Sequence, residues 1–137
     1  MTAKEPIGNV GREFDRVAYT PAMRVGNLVF VSGQVAMSDD GEPLAIGNFR
    51  EQGRIAFSRL QKVLEQAGSG LEHVIKVTIF LTDRAQFPEL VELRREWLSA
   101  PYPADTTVIV ESLVREECLI EVEAIALVPE AADRRLQ

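Results

Sequence analysis

The chain predicts an α+β fold, a two-layer sandwich with two helices on one face of a mixed sheet. Three patterns lead there. Segments 28–35, 74–81 and 119–128 each keep one parity wholly apolar, the signature of strands with one buried face. Two other segments carry apolar residues at helical spacing, each as a single stripe. Both stripes can then cover the apolar side of one sheet.

Each element has a local reason. Residues 1–13 are polar with glycines and read as an arm. Gly26-Asn27 is a turn signal before the strand Leu28–Val35, with residues 16–25 as its hairpin partner. Ser38–Pro43 reads as a surface loop. Asn48 opens the first helix, with Glu51 at the capping-box position. Ala56, Leu60, Val63, Leu64 and Ala67 make its stripe. Gly68 and Gly70 end it, because glycine accepts the left-handed conformation needed there. Val74–Leu81 is rich in β-branched residues and reads as a strand. A second helix begins near Gln86, with Pro88 tolerated in its first turn. Phe87, Leu90, Val91, Arg94, Trp97 and Leu98 share its broad face, and Pro101 and Pro103 stop it. Strands follow over about 106–111 and 119–128, and residues 129–137 read as a polar tail. A length of 137 residues suits one domain.

The parities have consequences. Val29, Val31, Gly33 and Val35 are expected to face the helices, with Ile75, Val77, Ile79 and Leu81, and with Ile120, Val122, Ala124, Ala126 and Val128. The opposite face carries Phe30, Ser32, Gln34, Lys76, Thr78, Phe80, Thr107, Glu121, Glu123 and Ile125. That face is too oily for water and too polar for a dry core. Further copies of the chain, closed as a homo-oligomer, are the economical cover.

Composition excludes several classes. A net charge of −6 argues against nucleic acid as a partner, since binding it needs a positive surface. No apolar run approaches the roughly 20 residues that span a membrane. The first residues lack a signal-peptide pattern, and the single cysteine, Cys118, allows no intrachain disulfide, so the expected location is the cytoplasm. Glu116 and Glu117 beside Cys118 oppose a thiolate. With one histidine, His73, there is no metal-ligand set, and no Gly-rich phosphate loop opens a helix; no metal or cofactor is expected.

Tyr19, Ser32-Gly33-Gln34, Pro103-Ala104-Asp105-Thr106-Thr107 and Ile120–Ala126, with segments 25–34 and 74–83, resemble the Rid family, also called YjgF or L-PSP. The resemblance runs over roughly residues 16–128. It implies a homotrimer with clefts between subunits that take a small-molecule metabolite. It also implies that Tyr19 and Ser32 line the cleft, that Thr107 sits near the substrate, and that Glu121 is the catalytic acid or base that handles water. In the deaminating members the residue after Pro-Ala is an arginine that holds the substrate carboxylate; here it is Asp105. Losing that grip forfeits hydrogen bonds worth about 1.5–3 kcal/mol each. A carboxylate in its place adds repulsion on the order of 4 kcal/mol at a near-surface dielectric. Deamination of 2-imino acids in the usual pose is therefore not expected.

Regular pleating would put Ser32, Asp105, Thr107 and Glu121 on one side, so that two carboxylates share a cleft and suit a cationic amine. Two plainer readings compete with this. Asp105 can pair with an arginine such as Arg24 or Arg115, and Glu121 or Glu123 with Lys76 across the sheet. Two functions stay open: hydrolytic deamination of an enamine or imine, and non-catalytic metabolite binding by a trimer.

Overall fold

A computed structural model describes residues 3–8 and 17–130. Its strands are β1 (Glu5–Ile7), β2 (Ala22–Val25), β3 (Leu28–Gln34), β4 (Val74–Leu81), β5 (Ala104–Ile109) and β6 (Ile120–Leu127); its helices are α1 (Phe49–Gln66) and α2 (Phe87–Trp97). They build one six-stranded sheet in the order β1-β2-β3-β6-β4-β5, with both helices on one face. All neighbours are antiparallel except β4 and β5, so the sheet is mixed. The α2 segment is the crossover that a parallel β4–β5 pair requires.

The core lies between the sheet and the helices. Val29, Val31, Val77, Ile79, Leu81, Ile120, Val122, Ala124 and Ala126 are buried from the strands, and Ala56, Phe57, Leu60, Leu64, Leu90 and Leu93 from the helices. Gly53 lets the helices approach, since a Cβ there would stand 2.3 Å from Leu93 Cδ1. Phe57 stacks on Trp97 with ring centroids 6.2 Å apart. The Asn48 cap forms as expected, its Oδ1 accepting from Glu51 N at 3.0 Å. The end of α1 also forms as expected, with Gly68 at φ +81° and Ser69 N donating to Leu64 O.

Several expectations are corrected. Residues 5–7 of the expected arm form β1, paired with β2; its other described part is not strand, and residues 1–2 and 9–13 lie outside the described residues, as do 131–137 of the expected tail. The fifth strand starts at Ala104, two residues early, because Ala104 already pairs with Lys76. Regular alternation fails twice. Between Val31 and Gln34 the β3–β6 register slips by one residue, so Gln34 rather than Gly33 or Val35 turns inward and is buried. A second slip between Val74 and Lys76 buries Val74 and leaves Ile75 exposed.

Gln52 was legible only as a polar residue of α1. It is fully buried. Its Nε2 donates to Glu117 O and Leu44 O, and its Oε1 accepts from Leu119 N at 2.8 Å. One amide thus ties α1 to two loops and to the start of β6.

Candidate functional site

The slip in β3 builds the most distinctive polar feature of the helix-free face. Two residues, Ser32 and Gly33, stand where β6 spends only Glu123, between the pairs Val31–Ala124 and Gln34–Val122. The bulge is well held. Ser32 Oγ donates to Thr20 O at 2.6 Å, Ser32 N to Pro21 O at 2.9 Å, and the buried Gln34 Nε2 to Ser32 O at 2.9 Å. The first bond ties the residue next to Tyr19, itself half exposed, onto the bulge.

Glu121 fills the space that Gly33 leaves. A Cβ on Gly33 would lie 2.3 Å from Glu121 Oε2 and 2.6 Å from Cδ. The φ of Gly33 is not in the left-handed region, so room for this carboxyl is what the glycine supplies. Burial pushes the Glu121 carboxyl above the usual carboxylate range, and the neighbouring Glu123 adds to the shift. No described cation counters it. Lys76 does not pair with Glu121 or Glu123; its Nζ donates to Thr106 Oγ1 at 2.6 Å. The result is an acid tuned toward neutrality and still half open to the face.

Asp105 and Thr107 are not on that face, contrary to the pleating argument. In β5 they stand opposite Val77 and Ile79, both buried against the helices, so they point to the helix layer. Earlier strand onset and the parallel register reverse the expected side. There they meet Arg94 of α2. Arg94 Nη2 lies 3.0 Å from Asp105 Oδ2 and donates to Thr107 Oγ1 at 2.5 Å, while Thr107 Oγ1 donates to Asp105 Oδ1 at 2.7 Å. The guanidinium rides over Phe87, 5.4 Å from its centroid. Neither Arg24 nor Arg115 serves as the partner; they bond Gly26 O and Gly41 O.

Within one copy, then, Ser32 and Glu121 stand at the bulge with Tyr19 one residue from its Thr20 anchor, and Asp105 and Thr107 stand at the sheet's far edge facing the other way. The two carboxylates do not share a proton within one copy, and the repulsion assigned to Asp105 is offset by Arg94. Arg94 was visible in sequence only as a member of the α2 face. No spacing rule links it to residues 11 and 13 positions later, because the contact needs the crossover. Cys118 is buried, and burial with Glu117 pushes its thiol up, away from nucleophilic use. An open groove of about 580 Å³ lies over α1, lined by Met37, Arg54, Arg59, Lys62 and Trp97 among others, on the side of the molecule away from Glu121. Two of its cations are already paired, Arg54 with Glu96 and Arg59 with Asp39. Among the described residues no helix is long and apolar enough to cross a membrane.

The comparisons agree with this architecture. The family model described as endoribonuclease L-PSP matches residues 13–128. The chain is 31% identical to a 2-iminobutanoate/2-iminopropanoate deaminase of Dermatophagoides farinae, over 92% of this chain and 91% of that protein. It is 40% identical to the RutC family protein YjgH of Escherichia coli, over 82% and 84% of the two chains. It also superposes on the crystal structure of RidA from an Antarctic Psychrobacter with a TM-score of 0.75 at 32% identity, covering 89% of this chain and 93% of that one. With a bulge-held glutamate on a six-stranded sheet, two helices over the other face and a family match across nearly the whole described chain, this protein belongs to the L-PSP family, the Rid or YjgF family.

Proposed function

We propose that the protein is a homotrimeric hydrolase that releases ammonia from a small imine or enamine, with Glu121 as its acid and base. The observation that carries this is Glu121 itself: a half-buried carboxyl, raised toward neutrality and seated against Gly33. A raised pKa moves a carboxyl toward the range in which general acid–base groups work best. An enamine takes a proton at carbon from the Glu121 acid and becomes an iminium. Water adds to the iminium carbon as the Glu121 carboxylate takes the water's proton. The acid so formed protonates the nitrogen; as the C–N bond breaks, the hydroxyl gives its proton to the Glu121 carboxylate, and ammonia leaves a carbonyl product. The Dermatophagoides relative is named for a deamination of this type.

The trimer is part of the same proposal. Phe30, Val108 and Leu127 are exposed on the helix-free face at 44, 38 and 40%, and a second copy is the cover that a half-apolar face needs. Because Glu121 and Asp105 face opposite ways in one copy, a cleft holding both takes them from two copies. With Asp105 in the arginine position, the substrate is not gripped there as in the deaminating members. The acidic net charge of −6 favours a small metabolite over RNA, despite the family model's description.

The test is turnover of imines generated in situ by an amino-acid oxidase, beside enamines without a carboxylate. The wild type should accelerate hydrolysis and Glu121→Gln should not. Equal rates would remove the catalytic reading and leave its rival, a trimer that only binds a metabolite. Sedimentation should show three copies, and a stable lone protomer would defeat the cleft.

A further inference from the structure

Gln34 owes its place to the bulge. The β3–β6 pairing runs from Leu28–Leu127 to Val31–Ala124; continued unbroken, it would set Gly33 opposite Val122 and Gln34 opposite Glu121. Partners in a ladder share a face, so Gln34 would then lie on the helix-free face beside the carboxyl, and Gly33 would face the helices. The slip exchanges them. Gln34 stands opposite the buried Val122 and is itself 7% exposed, while Gly33 leaves its empty side to Glu121. A primary amide in an apolar layer is costly without a partner. Gln34 finds one in the bulge, its Nε2 donating to Ser32 O at 2.9 Å. That oxygen belongs to the peptide joining the two bulge residues. The peptide is planar, so a grip on the oxygen fixes the plane that carries Gly33.

We infer that Gln34 is a positioning residue for Glu121: from the opposite side of the sheet its amide holds the Ser32–Gly33 peptide in the bulged register, and so keeps the notch beside the carboxyl open. The inference rests on the reading of Glu121 as the acid and base. The other two anchors, Ser32 Oγ to Thr20 O and Ser32 N to Pro21 O, tie the bulge to the segment before β2. Gln34 holds it from the core side. Gln34 carries no charge, so a change that its removal makes at Glu121 comes from geometry. The ionisable neighbours of Glu121 among the described residues, Glu123 and Cys118, lie on β6 and just before it. Phe80 of β4 is its ladder partner and cannot titrate, and Lys76 of the same strand is bonded to Thr106.

Gln34→Met tests it, because methionine keeps the length and removes the donor. Circular dichroism and a melting curve establish that the variant folds; if it does not, Gln34→Leu, which also lacks the donor and packs in the apolar layer, takes its place. The carboxyl carbon signal of Glu121, identified by its loss in Glu121→Gln, is followed by NMR against pH. In the variant it should titrate at a lower pH than in the wild type, nearer the ordinary carboxylate range, because the carboxyl leaves its buried seat. With an imine or enamine substrate, kcat should fall by about tenfold or more while KM stays within about twofold. A lowered melting temperature with titration and kcat both unchanged would mark Gln34 as structural only and overturn the inference. Abolished turnover in Glu121→Gln beside an unaffected Gln34→Met would sink the role of Gln34 alone. A wild type that turns over no imine or enamine would remove the catalytic reading, and the titration would still decide whether Gln34 seats the carboxyl.

Discussion

Two carboxylates of this sheet live in opposite circumstances. Asp105 is paired: a guanidinium 3.0 Å from one oxygen and a threonine hydroxyl at 2.7 Å from the other give each a partner. Glu121 has a notch in place of a partner, the space left by Gly33, and its acidity falls through burial and the nearby Glu123. The same functional group is thus a paired charge in one place and a carboxyl of raised pKa in the other. Chemistry follows the surroundings of a carboxyl, and the two places are separated by the thickness of the sheet.

The sharpest way to break this contrast is to disable each side in turn. Glu121→Gln should lower turnover of any imine or enamine substrate by roughly 10²–10⁴-fold, the usual worth of general acid–base catalysis, with the fold intact by circular dichroism. Asp105→Asn should cost far less in turnover, because a carboxylate paired with a guanidinium stays ionised and passes no proton. Equal losses would erase the distinction.

Gly33→Ala sharpens it. The new methyl meets the end of a flexible side chain rather than backbone. The carboxyl should swing aside at a cost in stability within about 1 kcal/mol, while turnover falls by about tenfold or more through misplacement. A crystal structure with Glu121 unmoved would refute the notch.

Gln52→Leu asks whether the scaffold behind the site is as strict as the packing implies. It strands Leu119 N and two carbonyls, so chemical denaturation should show a loss of about 2–4 kcal/mol. Arg94→Met should cost less, about 1–2 kcal/mol, since the pair is partly solvated and screened.

The smallest effect expected is on the pH profile of stability. A carboxyl whose folded pKa is raised binds its proton more tightly when folded. Its burial penalty is absent below the ordinary carboxylate pKa, grows as pH rises toward the raised value, and is complete above it. Glu121→Gln should therefore stabilise the protein at neutral pH and lose that advantage as pH falls below about 4.3. A gain that persists in acid would mean Glu121 is not strained by burial.

The helices, the Asn48 cap and five of the six described strands were legible because their signals are local. Asn48 caps whatever follows it, and a stripe at helical spacing has one buried side wherever the helix docks. The Rid resemblance was legible for a similar reason, being carried by contiguous runs such as Ile120–Ala126. Strand parity was legible only until a bulge or an unexpected start. One extra residue at Ser32-Gly33 turned Gln34 inward, and the pairing of Ala104 with Lys76 set Asp105 and Thr107 toward the helices. Sidedness in a sheet alternates with every residue, so a single slip inverts all that follows. The short β1 was missed because three residues hold no period; its strand character comes from β2 alone.

From its own residues the chain dictated the layers and the oily strand faces, since these follow from side-chain chemistry repeated over a few positions. Which carboxylate would be paired and which left without a cation was settled, among the described residues, only by folding. Arg94 reaches Asp105 across a helix-to-strand crossover, and Glu121 finds its room in a glycine of a neighbouring strand. Contacts between segments far apart in the chain depend on register and crossover geometry, which no local pattern encodes.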